Sequence, residues 1–151
     1  VLLDTNLALL LLVGLLDRDL IGRFKRTDAF EPVDFDAVAQ LATHAGSLVI
    51  TPHVAAELSN LGGYLREPRR RQFFELLRHW LTEVVVETAV PSAEASAQTL
   101  FLRLGLTDAS IESLARQGVL VITADFDLAM GLLSGGLDAI NYNHWRPQAP
   151  R

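Results

Sequence analysis

Five carboxylates stand where apolar runs of this chain begin, end or are interrupted. Asp4 follows Val1-Leu2-Leu3, Glu57 interrupts the stretch Pro52–Leu61, Asp108 follows Leu106-Thr107, and Asp125, with Asp127 beside it, follows Val119–Thr123. Carboxylates are hard oxygen donors, and a cluster of them suits Mg2+ or Mn2+. Each also has a plainer explanation. Aspartate at a helix start is favoured by capping and by the helix dipole. Taken singly, Asp4 and Asp108 fit that explanation as well as a ligand role, and Asp127 fits it slightly better. Asp125 is intermediate. Glu57 fits it worst, because it falls within the apolar stripe of Val54, Leu58 and Leu61, where an unpaired charge is expensive.

The elements around these acids predict that they meet. Continuous apolar runs such as Val1–Leu3, Ser47–Ile50 and Val119–Thr123 read as strands buried on both faces. Further strands are expected around Val84–Val86 and Ala139–Ile140. Between them, apolar spacing predicts helices from Thr5 or Asn6, as cap, to Leu16, and from Pro32 to near Gly46. A helix over Pro52–Leu61 is stopped by Gly62-Gly63, and the next begins near Pro68, with Phe73, Leu76, Leu77, Trp80 and Leu81 inward. A single helix is expected over Ser92–Leu104, then one over Asp108–Gln117 capped by Thr107, and one from Asp125 through Leu133. Strands alternating with helices imply an α/β fold, three-layer α/β/α, with a mostly parallel sheet of four to five strands. Parallel topology sends every strand's carboxyl end to one edge, where the working crevice of such sheets lies. Residues 1–146 read as a single domain and 147–151 as a tail. The stretch from Asn143 onward is expected to be partly ordered at best, and Arg18–Glu31 to be a solvated loop or short helix.

Convergent acids repel. Two unit charges ~4 Å apart cost about 4 kcal/mol at an effective dielectric of ~20. The chain has a single lysine, Lys25, and no arginine within the acid-bearing segments. A divalent cation is therefore the economical counter-charge.

Other chemistries are excluded by the same letters. A net charge of −5 argues against coating nucleic acid through bulk positive charge. With no cysteine there is neither disulfide nor thiolate zinc site. Asn6 stands where a haloacid-dehalogenase-type phosphatase needs its second aspartate, and no late lysine serves a receiver domain. Nucleotide-binding glycine loops are absent. His44, His53, His79 and His144 lack metal-ligand spacing and read as structural. Leu7–Leu16 is too short to cross a bilayer, so neither an anchor nor a signal peptide is expected, and the cytoplasm is the default compartment.

The pattern L-L-D-T-N, an E inside an apolar helix, L-T-D-A-S-I and V-I-T-A-D-F-D, in that order across essentially the whole chain, resembles the PIN domain family. The resemblance implies a metal-dependent ribonuclease, a hydrolase of RNA phosphodiester bonds like the VapC-type toxins, leaving a 5′-phosphate. It makes Asp4, Glu57, Asp108 and Asp125 the catalytic, metal-binding quartet. Asp127 and Thr123 become supporting site residues, and Asn6 a weaker match. It further implies a homodimer, and either a toxin with an antitoxin protein as partner or a free-standing RNA-processing enzyme. The chain departs from compact toxins by its longer Arg18–Glu31 segment and its arginine-rich helix.

Arg66, Arg69, Arg70 and Arg71 crowd a helix start, where cations are mildly unfavourable. They are expected to hold RNA phosphates beside the acidic crevice, or else to form a solvated face or a patch for a partner's acids. A non-catalytic module that keeps the fold and docks a protein partner is the alternative to the nuclease.

Overall fold

The computed structural model describes residues 1–147; the expected tail from 148 on lies outside the described residues. Five short strands form, β1 (Leu2–Leu3), β2 (Leu48–Ile50), β3 (Val85–Glu87), β4 (Val121–Thr123) and β5 (Ala139–Asn141). β4 lies between β1 and β5, and β2 pairs with β3, every pair parallel. Val1 joins the two sets. Its N–H donates to the Ser47 carbonyl at 3.0 Å, and its own carbonyl accepts from the Val49 N–H at 2.8 Å. The spatial order is therefore β3-β2-β1-β4-β5, and the direction of winding reverses between β1 and β4. With right-handed crossovers this distributes helices over both faces, the α/β/α layering expected.

Helix α1 (Thr5–Leu16) is buried on all sides from Leu7 to Gly14, as its uniformly apolar sequence requires. It packs against α2 (Pro32–His44), α3 (Pro52–Gly62) and α4 (Arg69–His79). Gly14 and Gly62 serve close approach. A Cβ on Gly14 would lie 2.2 Å from the Phe35 ring, and one on Gly62 2.0 Å from the Phe73 ring. Gly62 is thus the last residue of α3 and a packing site rather than a stop signal.

The α1 cap is Asp4, not Thr5 or Asn6. Past α4 the chain continues through a π-helical turn (Trp80–Val84) into β3, where only Val85 is buried. The single helix expected over 92–104 is two, α5 (Ser92–Ser96) and α6 (Phe101–Leu104). The buried Glu112 carboxylate accepts the Leu100 N–H at 2.8 Å, which holds the chain between them. Helix α7 (Leu106–Arg116) starts from Gly105, whose φ of 89° suits glycine; Thr107 lies inside it. Helix α8 (Phe126–Ser134) precedes β5.

Two segments depart from expectation. Residues 21–30 are not a solvated loop, because Ile21, Phe24, Thr27 and Phe30 are buried at every third position. Thr27 and Phe30 each donate backbone N–H to the carbonyl three residues earlier, and the Thr27 hydroxyl donates to the Ile21 carbonyl at 2.8 Å. The stretch before residue 148 is also anchored. Arg146 forms an ion pair with the buried Asp34 at 2.7 Å, and the Tyr142 hydroxyl donates to the same carboxylate at 2.9 Å. No helix among the described residues is long and apolar enough to cross a membrane.

Candidate active site

Asp4 occupies the reversal point of the sheet, at the carboxyl end of β1. Its Oδ1 accepts the Leu7 N–H at 2.8 Å and so caps α1. Its Oδ2 accepts the Ala124 N–H at 2.9 Å and the Thr123 hydroxyl at the end of β4. The carboxylate is 3% exposed. Burial raises its pKa, against the lowering effect of the hydrogen bonds from Thr123, Leu7 and Ala124. Thr123 also accepts the Asp125 N–H at 2.9 Å, and Asp125 Oδ1 caps α8 by accepting the Leu128 N–H at 2.9 Å. Asp4 and Asp125 are therefore both helix caps, joined through one threonine.

Glu57 and Asp108 differ in kind. Both are half-buried, and among the described residues neither carboxylate accepts a hydrogen bond or forms an ion pair. Asp108 lies in the first turn of α7 without capping it. Its pKa is pushed up to about 7, first by burial and then by the negative charges of Asp125, Asp4 and Glu57. The other three quartet acids thus all act on Asp108 across this edge. The helices carrying Glu57 and Asp108 are tied by a pair that sequence reading overlooked. Thr51, which caps α3 through the Val54 N–H at 3.2 Å, is hydrogen-bonded to Ser110 of α7 at 2.9 Å. The two residues are 59 positions apart, and no local pattern marks them. Asn141, beside Thr123 in the β4–β5 register, was also overlooked; its Nδ2 is buried without an acceptor.

The other expected site residues are not gathered in. Asp127 is exposed on the first turn of α8, and its charge is not among those acting on Asp108. Asn6 is exposed on the first turn of α1 and makes no side-chain hydrogen bond among the described residues. The arginines stand elsewhere. Arg69 pairs at 2.5 Å with Asp17, the residue that ends α1, which places the start of α4 about 18 Å along α1 from Asp4. Arg70 pairs with Glu67 and lies over Phe74, and Arg71 pairs with Glu75 at 3.1 Å. Arg66 has no such partner among the described residues. The cluster thus sits at the far end of α1 rather than beside the acids.

Among the described residues, no group of three or more His, Cys, Asp or Glu side chains is disposed to hold a metal ion as it stands. Mg2+ does not require such a cage, since it retains several waters and binds through one or two carboxylates. The donor chemistry fits it. Glu57 and Asp108 have uncommitted oxygens, and the repulsion that adds to burial in raising Asp108 is what a cation relieves.

No family model matches the chain, and neither a curated protein nor a solved structure matches it significantly.

Proposed function

We propose that the chain is a Mg2+- or Mn2+-dependent endoribonuclease, with Asp4, Glu57, Asp108 and Asp125 as its catalytic and metal-binding residues. The observation that carries the reading is the grouping of two hydrogen-bonded carboxylates with two that have no partner among the described residues, where burial and the charges of the other three raise Asp108 to about 7. A fold has no structural need to leave such repulsion uncompensated, and functional sites are where such perturbation concentrates. The choice of RNA as substrate rests on the resemblance to the PIN family.

In this reading Asp4 is the rigid member, fixed by its donors from α1 and β4. Asp125 keeps Oδ2 for the site while Oδ1 caps α8. Glu57 and Asp108 supply the donors not already committed to hydrogen bonds. When bound, a divalent ion supplies Lewis acidity and lowers the pKa of attacking water. In the metal-free protein Asp108 can hold or release a proton near neutral pH, and Thr123 keeps Asp4 and Asp125 in register. The same proposal sets the reaction in the cytoplasm, with an antitoxin protein and a second copy of the chain as partners.

Cleavage of a mixed panel of end-labelled RNAs tests it. Products carrying 5′-phosphate should form with Mg2+ or Mn2+ and not in EDTA, and Asp4→Asn or Asp125→Asn should each abolish them in a folded protein. Undiminished cleavage in EDTA overturns the reading. A non-catalytic docking module is favoured by one observation, the exposed stripe of Phe126, Met130 and Leu133 along α8. An absence of turnover with every RNA and either metal would select it.

A further inference from the structure

The segment after α1 and the connection from α3 to α4 enclose a cavity of about 540 Å³, away from the acids. Arg23, Lys25, Arg26, Arg66 and Arg69 line it, together with Tyr64. That gathers five of the chain's 13 lysines and arginines, in a protein of net charge −5. The one carboxylate on its wall, Glu67, is turned to α4, where it accepts the Arg71 N–H at 3.3 Å and pairs with Arg70. Arg69 is paired with Asp17. Among the described residues, Arg23, Lys25, Arg26 and Arg66 have no carboxylate within ion-pair distance and make no side-chain hydrogen bond.

A solvated basic face is the plainer account, but three features oppose it. The cations surround a concavity, where low-dielectric walls focus their field. Their backbone is held, because Ile21, Phe24, Thr27 and Phe30 are buried on one side of the segment while residues 23, 25 and 26 turn outward. Leu65, between Tyr64 and Arg66, is buried as well. Finally, Tyr64 is 66% exposed, with the Arg26 guanidinium 4.5 Å from its ring centroid. A planar aromatic–guanidinium pair beside unpaired cations matches a base next to its phosphate, since single strands are held by stacking platforms along positive grooves. An acidic peptide would use the cations and leave the ring idle.

We propose that this cavity is a second nucleic-acid site, binding a nucleotide of single-stranded RNA with its phosphates on Arg23, Lys25 and Arg66 and its base on Tyr64. It lies at the end of α1 distant from Asp4, so it holds a part of the strand well removed from the acids. Binding there needs no divalent metal.

The experiment is fluorescence anisotropy of a labelled 12-nucleotide single-stranded RNA with the full chain in EDTA, across a salt series. Arg23→Gln with Arg66→Gln should weaken binding about tenfold or more. It should also reduce the slope of log affinity against log salt by about 1.4, at ~0.7 per phosphate contact. Tyr64→Ala should weaken binding at least about fivefold, whereas Tyr64→Phe stays within about twofold. Excess nucleoside monophosphate should displace the strand before equimolar inorganic phosphate does. Wild-type affinity in the arginine variant or in Tyr64→Ala overturns the proposal. So does equal displacement by an oligoglutamate of matching charge, which would mark the cavity as a seat for an acidic protein segment. The arginines and Tyr64 make no buried contact, so the variants are expected to fold. Asp4→Asn should bind as wild type does, which separates this result from the nuclease reading.

Discussion

Thr123 donates its hydroxyl to Asp4 across 119 positions of sequence and accepts the Asp125 N–H with the same oxygen. One buried side chain thus fixes two carboxylates on neighbouring strand ends. Thr123→Val keeps the shape but leaves a buried carboxylate short of a donor and a backbone N–H short of an acceptor. The expected loss is about 1–3 kcal/mol, read by urea denaturation, with Thr123→Ser recovering most of it. Equal stability of the valine variant would mean that water replaces the hydroxyl at no cost.

Asp108 gives the metal-free protein a pH dependence of defined sign. Its folded pKa of about 7 lies above the ordinary 3.8, so ionisation is disfavoured by the fold. Its contribution to stability is fully present below about pH 4 and is lost as pH rises through about 7. Asp108→Asn should remove this slope and stabilise the metal-free protein by about 1–3 kcal/mol at pH 8. Thermal melts of both proteins from pH 5 to 8 in EDTA measure the difference. Parallel curves would mean that neither burial nor the neighbouring acids raise Asp108.

Divalent metal should relieve the same repulsion. At tenfold excess over its Kd, Mg2+ should stabilise the native state by about 1.4 kcal/mol, a rise of about 3–6 °C in Tm for a chain of this size. Glu57→Gln and Asp108→Asn should each diminish the rise. Matched ionic strength in KCl should not reproduce it. A Tm indifferent to Mg2+ and Mn2+ would remove the metal from the proposal.

The anchored C-terminal stretch predicts a cost remote from the acids. Arg146 supplies the ion pair to Asp34, whose side chain is 1% exposed. Arg146→Ala leaves that carboxylate with Tyr142 and the Glu31 N–H as its remaining donors. Breaking a buried pair from one side is strongly destabilising. With Arg146 itself about one-third exposed, about 2–3 kcal/mol is expected in chemical denaturation. Arg146→Lys should restore only part, since a single ammonium cannot reproduce the fork.

Much of this architecture is legible in the letters because it is carried by apolar runs. Strand and helix order, the all-round burial of α1 and the inward residues of α4 follow from hydrophobic periodicity. What escaped is set by pairing between distant residues. Asp34 reads as a helix-start acid, and only the return of residues 142 and 146 makes it the centre of a buried network. Thr51 and Ser110 are ordinary polar letters until α3 meets α7. Residues 21–30 carried a readable signal, Ile21-x-x-Phe24-x-x-Thr27-x-x-Phe30, whose period of three fits tight turns rather than an α-helix. The arginines were misplaced because their sequence position says nothing of which end of α1 they reach.

The junction made by Val1 has a kinetic consequence. The middle strand of the sheet, β1, is synthesised well before its neighbour on one flank, β4, since Leu2 pairs with Val121. Contacts of such separation close slowly. A nascent chain that has not yet reached Val121 carries Asp4, Glu57 and Asp108 but lacks Asp125 and the Thr123 and Ala124 donors that hold Asp4. Whatever the four acids do together, they begin to do it only once β4 has been made.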